Sequence, residues 1–389
     1  METNQRIEKL LEAQHALTGN ADATLYQAPG RVNLLGEHTD YSGGFCMPAA
    51  LTFNTLVAAS PRDDRRLRLN SMDFGEVVEV DLDALSPLRH KEWSAYCAGV
   101  AWSMQQAGVK LRGADLTLTG NVPLGAGLSS SASVEVATAV ALLGVAGVTL
   151  DKVRIALLCQ KAENDYVGAP CGIMDQFISA NGVCGNALAI DTRALTSELA
   201  PIPGHLRLVI ANSMVKHSVA DGAYGTRRRE VEEAARVLHE ANPDIVQLRD
   251  ASLADLDASR AKMSDEAYHR ARHVISDSQR VVDGLAALRA GEVLRFGELM
   301  SEAHVSFRDD FAASCKECDT LVDEAMKIKG CLGSRLTGGG FGGCTVSLVE
   351  AEESEAFADA LRAGYERATG VKADVYLSET ADGAGLVGL

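Results

Sequence analysis

The chain has 389 residues, more than one ordinary hydrophobic core accommodates, so it suits two domains of average size. Hydrophobic residues make up 47% and charged residues 23%, a balance that excludes a disordered chain. The formal charge of −16 argues against nucleic acid and anionic lipid as partners, because such a surface repels both. An anionic ligand would therefore need local positive potential from backbone amides, helix N-termini, a bound cation or a few basic side chains.

Nine cysteines are spread along the chain without a dense framework, which is typical of the reducing cytosol. Cys315 and Cys318 form a CxxC pair, but no second pair or suitably spaced His accompanies it, so we interpret both as ordinary helix thiols. The polar N-terminus predicts an amphipathic helix rather than a signal peptide, and the longest apolar runs are too short to span a bilayer. These features predict a soluble cytoplasmic protein without a membrane partner.

The spacing of apolar residues predicts the secondary structure of the first half of the chain. Asp151 is a plausible N-cap for one of its helices. In chain order, the predicted elements are a helix at 5–17, strands over 24–80 with runs near Thr55–Ser60, Leu67–Ser71 and Val77–Asp81, a helix at Trp93–Gln106, a strand at Ala114–Thr119, helices at Ser130–Leu143 and Asp151–Tyr166, and strands at Ala187–Ile190 and Leu206–Ala211.

The second half is predicted to be richer in helix, and the irregular mixture of strands and helices predicts an α+β fold. Pro201 and Pro203 suggest a junction, so we predict one domain over 1–200 and another over 201–389. In chain order, the predicted elements are helices at Tyr224–Glu240, Asp265–Arg289, Glu292–Ala312 and Cys315–Ile328, a strand–loop–strand at 333–349, a helix at Glu352–Arg367 and a strand at Lys372–Ser378.

A glycine- and serine-rich turn separates the strand that ends near Thr119 from the following apolar helix. Gly125 and Gly127 permit positive φ and close backbone approach, and three serines supply hydroxyls and amides at a helix N-terminus. Either a phosphate cradle or an ordinary capped turn fits this pattern. The turn lacks the Gly-Lys-Ser/Thr ending of a Walker A loop and the glycine spacing of a dinucleotide fingerprint.

Residues 29–44 place Arg, Glu, His and Asp close together in a loop flanked by glycines. Glu37 and Asp40 are suited to accept hydrogen bonds from sugar hydroxyls, and Arg31 could stabilise phosphoryl charge or keep a carboxylate ionised. The alternative is a surface turn whose charges pair with each other. His38 could bind a sugar or fix the loop.

Two further segments indicate chemistry. Asp175 is a single carboxylate in an apolar run, which predicts either a general base or a helix N-cap. Residues 337–343 contain five glycines, more than a hairpin needs, so we expect something to approach this backbone closely, such as a nucleotide, or the loop to act as a lid. Glu163 and a serine of the Gly-Ser turn could hold the Mg²⁺ of a nucleotide.

Taken together, these segments resemble the GHMP kinase superfamily and, within it, the galactokinase family. The run from Pro123 to Ala132 resembles the superfamily's ATP-phosphate motif, and the run from Leu336 to Cys344 resembles its third motif. The run from Gly30 to Tyr41 resembles the signature of the galactokinases, with Ser42 where Asn is common and Leu35 where Ile is common. The order and spacing of the motifs agree over nearly the whole chain.

The resemblance implies an N-terminal domain of the ribosomal-protein-S5-like type that binds galactose and ATP. It also implies a ferredoxin-like C-terminal GHMP domain, with the active site between the two. The implied reaction transfers the γ-phosphoryl group of ATP to the anomeric hydroxyl of galactose, with Mg²⁺ as cofactor, and we expect the enzyme to be a monomer.

The resemblance also assigns residues by matching motif positions. Asp175 matches the catalytic carboxylate and Arg31 its partner, while Ser131 and Glu163 match the Mg²⁺ positions. The sugar-binding positions are Glu37, His38, Thr39, Asp40, Gly172, Asp175 and Tyr224. The nucleotide-binding positions are Ser71, Gly125, Ala126, Gly127, Leu128, Ser129, Ser130 and Ser131.

Two alternatives accompany this prediction. The first is a kinase for a related sugar: the similar N-acetylgalactosamine kinases usually carry Ile where this chain has Thr39. The second is a non-catalytic galactose and ATP sensor on the same fold. Such sensors lack the Ser-Ala pair that is present here as Ser131-Ala132.

Overall fold

The computed structural model describes residues 3–19, 22–87, 92–216 and 220–388. A π-helix, Ala162–Val167, continues one of the α-helices. Over the described ranges the α-helices are α1 Thr3–Thr18, α2 Trp93–Gln106, α3 Ser130–Ala146, α4 Lys152–Lys161, α5 Met174–Asn181, α6 Ala220–Ala241, α7 Leu253–Ala258, α8 Asp265–Ala290, α9 Val293–Asp309, α10 Lys316–Ala325 and α11 Ser354–Thr369.

The strands of the described residues form three sheets. A six-stranded sheet has the order β13-β1-β3-β6-β4-β5, a four-stranded sheet has the order β10-β11-β9-β12, and a three-stranded sheet has the order β2-β7-β8. The strands are β1 Thr24–Asn33, β2 Phe45–Cys46, β3 Pro48–Pro61, β4 Arg66–Ser71, β5 Glu76–Asp81, β6 Ala114–Gly120, β7 Asn186–Asp191, β8 Thr196–Pro201, β9 Leu206–Lys216, β10 Cys331–Thr337, β11 Gly342–Glu350, β12 Asp374–Ser378 and β13 Gly385–Leu386.

The six-stranded sheet packs against the helices of the first half. Its strands run antiparallel to their neighbours except for the parallel pair β4 and β6. Strand β4 alternates Arg and Leu, and burial follows the same alternation, as expected for a strand with one face on the core. Helix α3 consists mostly of Ala, Val and Leu and is the central helix of this core. Asp151 caps α4 by accepting a hydrogen bond from the Arg154 amide (2.8 Å), which confirms the predicted N-cap.

The antiparallel four-stranded sheet and helices α6 to α11 make up most of the second half. One hydrophobic cluster joins the two halves, since it contains Val32 and Leu35 from the first and Phe296 and Val346 from the second. Strand β13 pairs with β1 across the chain. The predicted boundary after residue 200 falls at the end of β8, and the division into 1–200 and 201–389 stays a prediction.

The mixture of largely antiparallel sheets and separate helices confirms the predicted α+β class. Strand β1 lies within the region predicted as strands over 24–80, although Pro29 and Gly30 disfavour a strand. A register shift between Pro29 and Arg31 accommodates them. The helix predicted over Asp151–Tyr166 instead ends at Lys161 and continues as the π-helix. No helix in the described part of the chain combines the length and hydrophobicity that a membrane span requires.

Candidate active site

Two cavities lie near the Gly-Ser turn, residues 125–131: Ser130 and Ser131 line one, and Asp175, which accepts a hydrogen bond from Ser129, lines the other. The larger has a volume of about 410 Å³, and among the residues that line it are Ser71, Phe74, Trp93, Tyr96, Ser130 and Ser131. The smaller has a volume of about 130 Å³, and among the residues that line it are Arg31, Glu37, His38, Asp40, Asp175 and Tyr224. The segments singled out by the sequence therefore meet at one place in the fold.

An arginine–carboxylate pair lies in the smaller cavity. Arg31 donates from Nε to Oδ1 and from Nη2 to Oδ2 of Asp175, both at 2.8 Å. Ser129 Oγ donates to Oδ2 of the same carboxylate at 2.5 Å. Ile173 is the N-cap residue of α5 and Asp175 follows in the first turn, so the proposed alternative of an N-cap role for Asp175 is wrong. Both carboxylate oxygens are fixed, yet the side chain stays 27% exposed.

Glycine at position 30 brings the Gly-Ser turn to Arg31. A Cβ on Gly30 would lie 2.7 Å from the Leu128 carbonyl oxygen, closer than real Cβ contacts. The Arg31 amide donates to that same oxygen at 3.1 Å, and Arg31 Nη1 donates to the Gly127 carbonyl at 2.6 Å. Arg31 thus connects the turn and Asp175, and it lies at the end of β1 rather than in a loop as the sequence suggested.

The Gly-Ser turn has the backbone geometry that its glycines predicted. Gly125 (φ +66°) and Gly127 (φ +77°) are left-handed, and Ser129, the N-cap of α3, has φ +59°. The Ser129 side chain makes no capping bond to α3. The N-terminus of α3 therefore has no side-chain cap from Ser129, and its residues Ser130 and Ser131 line the larger cavity, where the helix dipole favours an anion.

The glycine loop of residues 337–343 allows the close backbone approach that the sequence predicted. A Cβ on Gly338 would lie 3.0 Å from the Gly127 carbonyl oxygen, and a Cβ on Gly343 would lie 3.1 Å from that of Ala126. A Cβ on Gly340 would lie 2.3 Å from the Ala313 carbonyl oxygen. The segments that lie close to the backbone of the glycine loop are thus the Gly-Ser turn and the segment before α10.

Glu37 is almost completely buried beside the glycine loop. Its Oε1 accepts a hydrogen bond from the Gly338 amide at 2.7 Å, and Arg335 Nη2 lies 4.0 Å from the same oxygen. Burial raises the pKa of Glu37 to about 7, against the opposing charges of Arg335 and Arg31. A carboxyl group desolvated in this way gains from any hydrogen-bond donor that a ligand brings.

His38 lies in an aromatic cage. Its ring centroid is 4.4 Å from that of Phe311 and 5.1 Å from that of Tyr224. Nδ1 lies 3.1 Å from Tyr41 Oη, and Nε2 lies 3.3 Å from the Gly339 carbonyl oxygen. Burial lowers the pKa of His38 to about 3, so the ring is neutral at physiological pH.

The Asp40 carboxylate packs closely against Gly172. A Cβ on Gly172 would overlap the Asp40 carboxylate, so only glycine leaves it room, and the Met174 amide donates to Asp40 Oδ2 at 3.2 Å. Burial, followed by the charge of Asp175, raises the pKa of Asp40 to about 6. Thr39 differs from the other predicted sugar ligands: it is fully buried, and its hydroxyl donates within the loop to the carbonyls of Gly36 and Phe45.

A group of buried polar side chains borders the Gly-Ser turn on the π-helix side. Gln176 Nε2 donates to Glu163 Oε2 at 2.6 Å and to Glu135 Oε2 at 3.0 Å. Burial, followed by the charge of Asp175, raises the pKa of Glu163 to about 7, although a hydrogen bond from Ser131 opposes this. The structure therefore brings together Ser131 and Glu163, the two residues expected to hold Mg²⁺.

The donor chemistry of this region fits a divalent cation bound with a nucleotide. Mg²⁺ that is bound with a nucleotide takes one or two protein oxygens and completes its shell with phosphates and water. Glu135 and Glu163 are both buried, and Glu135 Oε1 has no hydrogen-bond partner among the residues that the structure describes. A cation beside these carboxylates would offset their desolvation.

Some residues of the site were not predicted from the sequence. Phe74 and Trp93 line the larger cavity together with Ser71, which was predicted, and their rings stack with centroids 6.2 Å apart. Nothing local distinguishes these two aromatic residues from ordinary core residues. Glu135 does carry a signal, because it is the one charged residue in the apolar helix α3. Gln176 has no comparable signal.

Comparison with known proteins agrees with this geometry. Residues 15–61 match the galactokinase galactose-binding signature, while 95–183 and 285–367 match the GHMP kinase N-terminal and C-terminal domains. Over 352 residues the chain is 46% identical to a galactokinase of Chloroflexus aggregans, with 90% of each chain covered. The chain belongs to the galactokinase family. A galactokinase of Roseiflexus sp. is 43% identical over 363 residues, 93% of each chain.

Solved structures place the chain in the same family. A Lactococcus lactis galactokinase, crystallised as a complex with galactose, superposes with a TM-score of 0.93 at 33% identity, covering 98% of this chain and 100% of the other. A mevalonate kinase superposes with a TM-score of 0.63 at 18% identity and shares the fold alone. The predicted GHMP kinase fold and galactokinase family are thus confirmed.

Proposed function

We propose that this chain catalyses ATP-dependent phosphorylation of galactose at its anomeric hydroxyl, giving galactose 1-phosphate and ADP. The observation that carries the proposal is the bidentate pair of Arg31 and Asp175, which borders both the small polar cavity and the Gly-Ser turn. A hydroxyl held in the small cavity and a phosphate held at the turn would meet at this pair.

The small cavity suits a hexose. Glu37 uses Oε1 for the Gly338 amide, and Asp40 uses Oδ2 for the Met174 amide, so each retains an oxygen for a sugar hydroxyl. The neutral His38 ring offers a polar edge within an aromatic wall. We assign Tyr224 and Gly172 to the same site, because both line the cavity. Thr39, the remaining predicted sugar ligand, supports this site through hydrogen bonds of its hydroxyl within the loop.

The larger cavity suits the nucleotide. The aromatic rings of Phe74 and Trp93 and the Ser71 hydroxyl form one end, where a base would lie. Residues 125–131, with the N-terminus of α3, form the other end, where the phosphates would lie. Ser131 and Glu163 would hold Mg²⁺, which when bound supplies neutralisation of the phosphate charge.

Phosphoryl transfer requires alignment and charge stabilisation more than covalent help from the protein. Asp175 accepts the proton of the C1 hydroxyl as the oxygen attacks the γ-phosphoryl group. Arg31 fixes both oxygens of that carboxylate and adds positive charge near the transferred group. Ser129 fixes the orientation of Asp175 from the turn.

We further infer that the enzyme works in the cytoplasm as a monomer. The free thiols suit a reducing compartment, since among the described residues all nine cysteines are unpaired. The strongly acidic surface favours separate, soluble copies.

ADP release with galactose, N-acetylgalactosamine, arabinose and glucose offered singly tests the proposal. Galactose should give the largest kcat/KM. Turnover of another sugar in its place would instead support a kinase for a related sugar, and ADP release with none of them, together with retained galactose binding, would support a sensor.

A further inference from the structure

The loop that presents Glu37 and His38 has a backbone geometry that side chains rarely adopt. Gly36 has φ +81° and His38 has φ +58°. A non-glycine residue keeps a positive φ only where its surroundings fix it. Part of this support is local, because the Thr39 hydroxyl donates to the Gly36 carbonyl at 2.9 Å. The amides of Gly36 and Glu37, however, find their partner outside the loop.

That partner is Asp277 on α8, in the other half of the chain. Its Oδ2 accepts hydrogen bonds from the Gly36 and Glu37 amides, both at 2.9 Å. The Asp277 side chain is fully buried. Two successive backbone amides that converge on one oxygen form a nest for an anion, and here the anion is a side-chain carboxylate.

The groups around Asp277 favour its ionised form. Arg280 Nη1 lies 3.1 Å from Oδ1, and Arg335 Nη1 lies 3.8 Å from Oδ2. Burial by itself would raise the pKa of Asp277, but His273, Arg335 and Arg280 outweigh burial and hold the pKa below its usual value. The carboxylate therefore keeps its full capacity to accept hydrogen bonds.

Two neighbours of Asp277 hold the same loop. His273 Nε2 lies 3.1 Å from the Glu37 carbonyl oxygen, while its Nδ1 lies 2.9 Å from Ser306 Oγ. Because a carbonyl only accepts, Nε2 carries the proton in this contact. Arg335 Nη1 donates to the Leu34 carbonyl at 3.3 Å. Both His273 and Arg335 are fully buried, so the loop is fixed from one side by a dry polar cluster.

We propose that Asp277 is a positioning residue for sugar recognition, which fixes the backbone of Gly36 and Glu37 so that Glu37 and His38 face the sugar cavity. Asp277 does not line that cavity, and it acts through the loop alone. The inference rests on the proposed function, because it assigns Glu37 and His38 to galactose.

A purely structural role would have a different signature. Asp277 also connects α8 to the first half of the chain, so its loss could lower stability without regard to substrate. In that case the maximal rate would fall with the amount of folded protein, and any change in KM would be shared by galactose and ATP. A positioning role predicts instead a selective rise for galactose, because the nucleotide cavity is lined by residues between Thr55 and Val134, all outside this loop.

The test compares Asp277→Ala and Asp277→Asn in the full-length chain. Asp277→Ala leaves two buried amides without an acceptor, and we expect KM for galactose to rise by roughly 10- to 100-fold, the scale of a small misplacement of substrate. Asp277→Asn retains an oxygen that can accept both amides, so its KM should stay within about fivefold of the unmodified chain. KM for ATP should change by no more than about twofold in either variant.

Asp283→Ala is the matched control, because Asp283 is on the same helix, exposed, and accepts a hydrogen bond from Gln279. It should leave both KM values unchanged. Hydrogen exchange gives a second readout: the amides of residues 36 and 37 should exchange faster in Asp277→Ala than in Asp277→Asn. If Asp277→Ala does not fold, Ser306→Ala, which removes the hydroxyl beside His273, should still raise KM for galactose selectively.

Parallel rises in both KM values, equal losses in the Ala and Asn variants, or unchanged exchange at residues 36 and 37 would overturn the proposal. These outcomes are distinct from failure of the proposed function. If the unmodified chain does not phosphorylate galactose, the proposed function fails. If it does and Asp277→Ala shows no selective effect, only the positioning role fails.

Discussion

The two cavities are built in different ways. The larger one is lined by residues between Thr55 and Val134, so it belongs to one half of the chain, and aromatic and small side chains form much of its wall. The smaller one combines segments from 31–40, 170–175, 224 and 338–339, and ionisable groups with displaced pKa values line it. Nucleotide binding therefore depends on local structure, whereas sugar recognition depends on how the two halves meet.

Asp175, which lines the small cavity and is hydrogen-bonded to the Gly-Ser turn, should show the largest effect. Asp175→Asn should lower kcat by roughly 10³-fold, because the amide cannot accept the hydroxyl proton. ATP affinity should stay close to that of the unmodified chain, since the Gly-Ser turn remains. Initial rates of ADP release and an ATP-binding titration check the two parts. Substantial remaining turnover would contradict the role of Asp175 as a base.

Glu163 should affect the nucleotide side alone. Glu163→Gln should lower kcat/KM for ATP by roughly 10- to 100-fold and raise the Mg²⁺ concentration needed for half-maximal rate, because an amide is a weaker metal ligand. Asp165→Asn is the matched control: Asp165 is in the same π-helix, exposed, and paired with Lys161. If Glu163→Gln and Asp165→Asn need the same Mg²⁺ concentration for half-maximal rate, Glu163 does not bind the metal.

The sugar side should make stability depend on pH through His38. Folding lowers the pKa of His38 from 6.5 to about 3, so between these values the unfolded chain binds a proton that the folded chain does not. The contribution of His38 to the stability of the unmodified chain is therefore lost as pH falls through 6.5. Between about pH 7.5 and pH 5 this loss amounts to about 2 kcal/mol, and His38→Gln should abolish it.

Urea unfolding of both proteins at the two pH values measures this difference without any ligand. The other buried groups of the cavity are common to both proteins and cancel in the comparison. If the difference in unfolding free energy between the unmodified chain and His38→Gln is the same at both pH values, His38 does not titrate as the structure implies.

The smallest effect is expected at the open end of the nucleotide cavity. Phe74 is 54% exposed and stacks on Trp93, so Phe74→Ala should weaken ATP binding by about 2- to 10-fold, the worth of one aromatic contact. KM for galactose should not change. ATP should also quench the fluorescence of Trp93 in the unmodified chain. A rise in the galactose KM would show that the two cavities are not independent.

The sequence predicted the motifs better than their surroundings. The sequence alone explains Gly125, Gly127 and the glycines of 337–343, because positions with positive φ or a close backbone approach favour glycine. The stacked rings of Phe74 and Trp93 could not be predicted from the sequence, since aromatic residues that line a cavity and those that fill a core look alike in sequence. The same holds for Asp277, whose partners are about 240 residues away.

Other details of the fold escape the sequence for a similar reason. Gly30 in β1 is required by a contact with Leu128 that no local pattern reveals. The π-helix interrupts a helix that periodicity alone would continue to Tyr166. The role of Thr39 as a sugar ligand stays a prediction from its position in the motif, and the structure adds the hydrogen bonds of its hydroxyl to the Gly36 and Phe45 carbonyls.

Strand β13 has a consequence for synthesis of the chain. It pairs with β1, and the segment before it adds backbone hydrogen bonds from Ala381 to Ala50 and from Ala384 to Ser179. Domains that fold during translation normally complete themselves from the N-terminus onward. Here the first sheet lacks an edge strand until residue 386 has left the ribosome, so β1, the strand that carries Arg31, waits until then for its second partner strand.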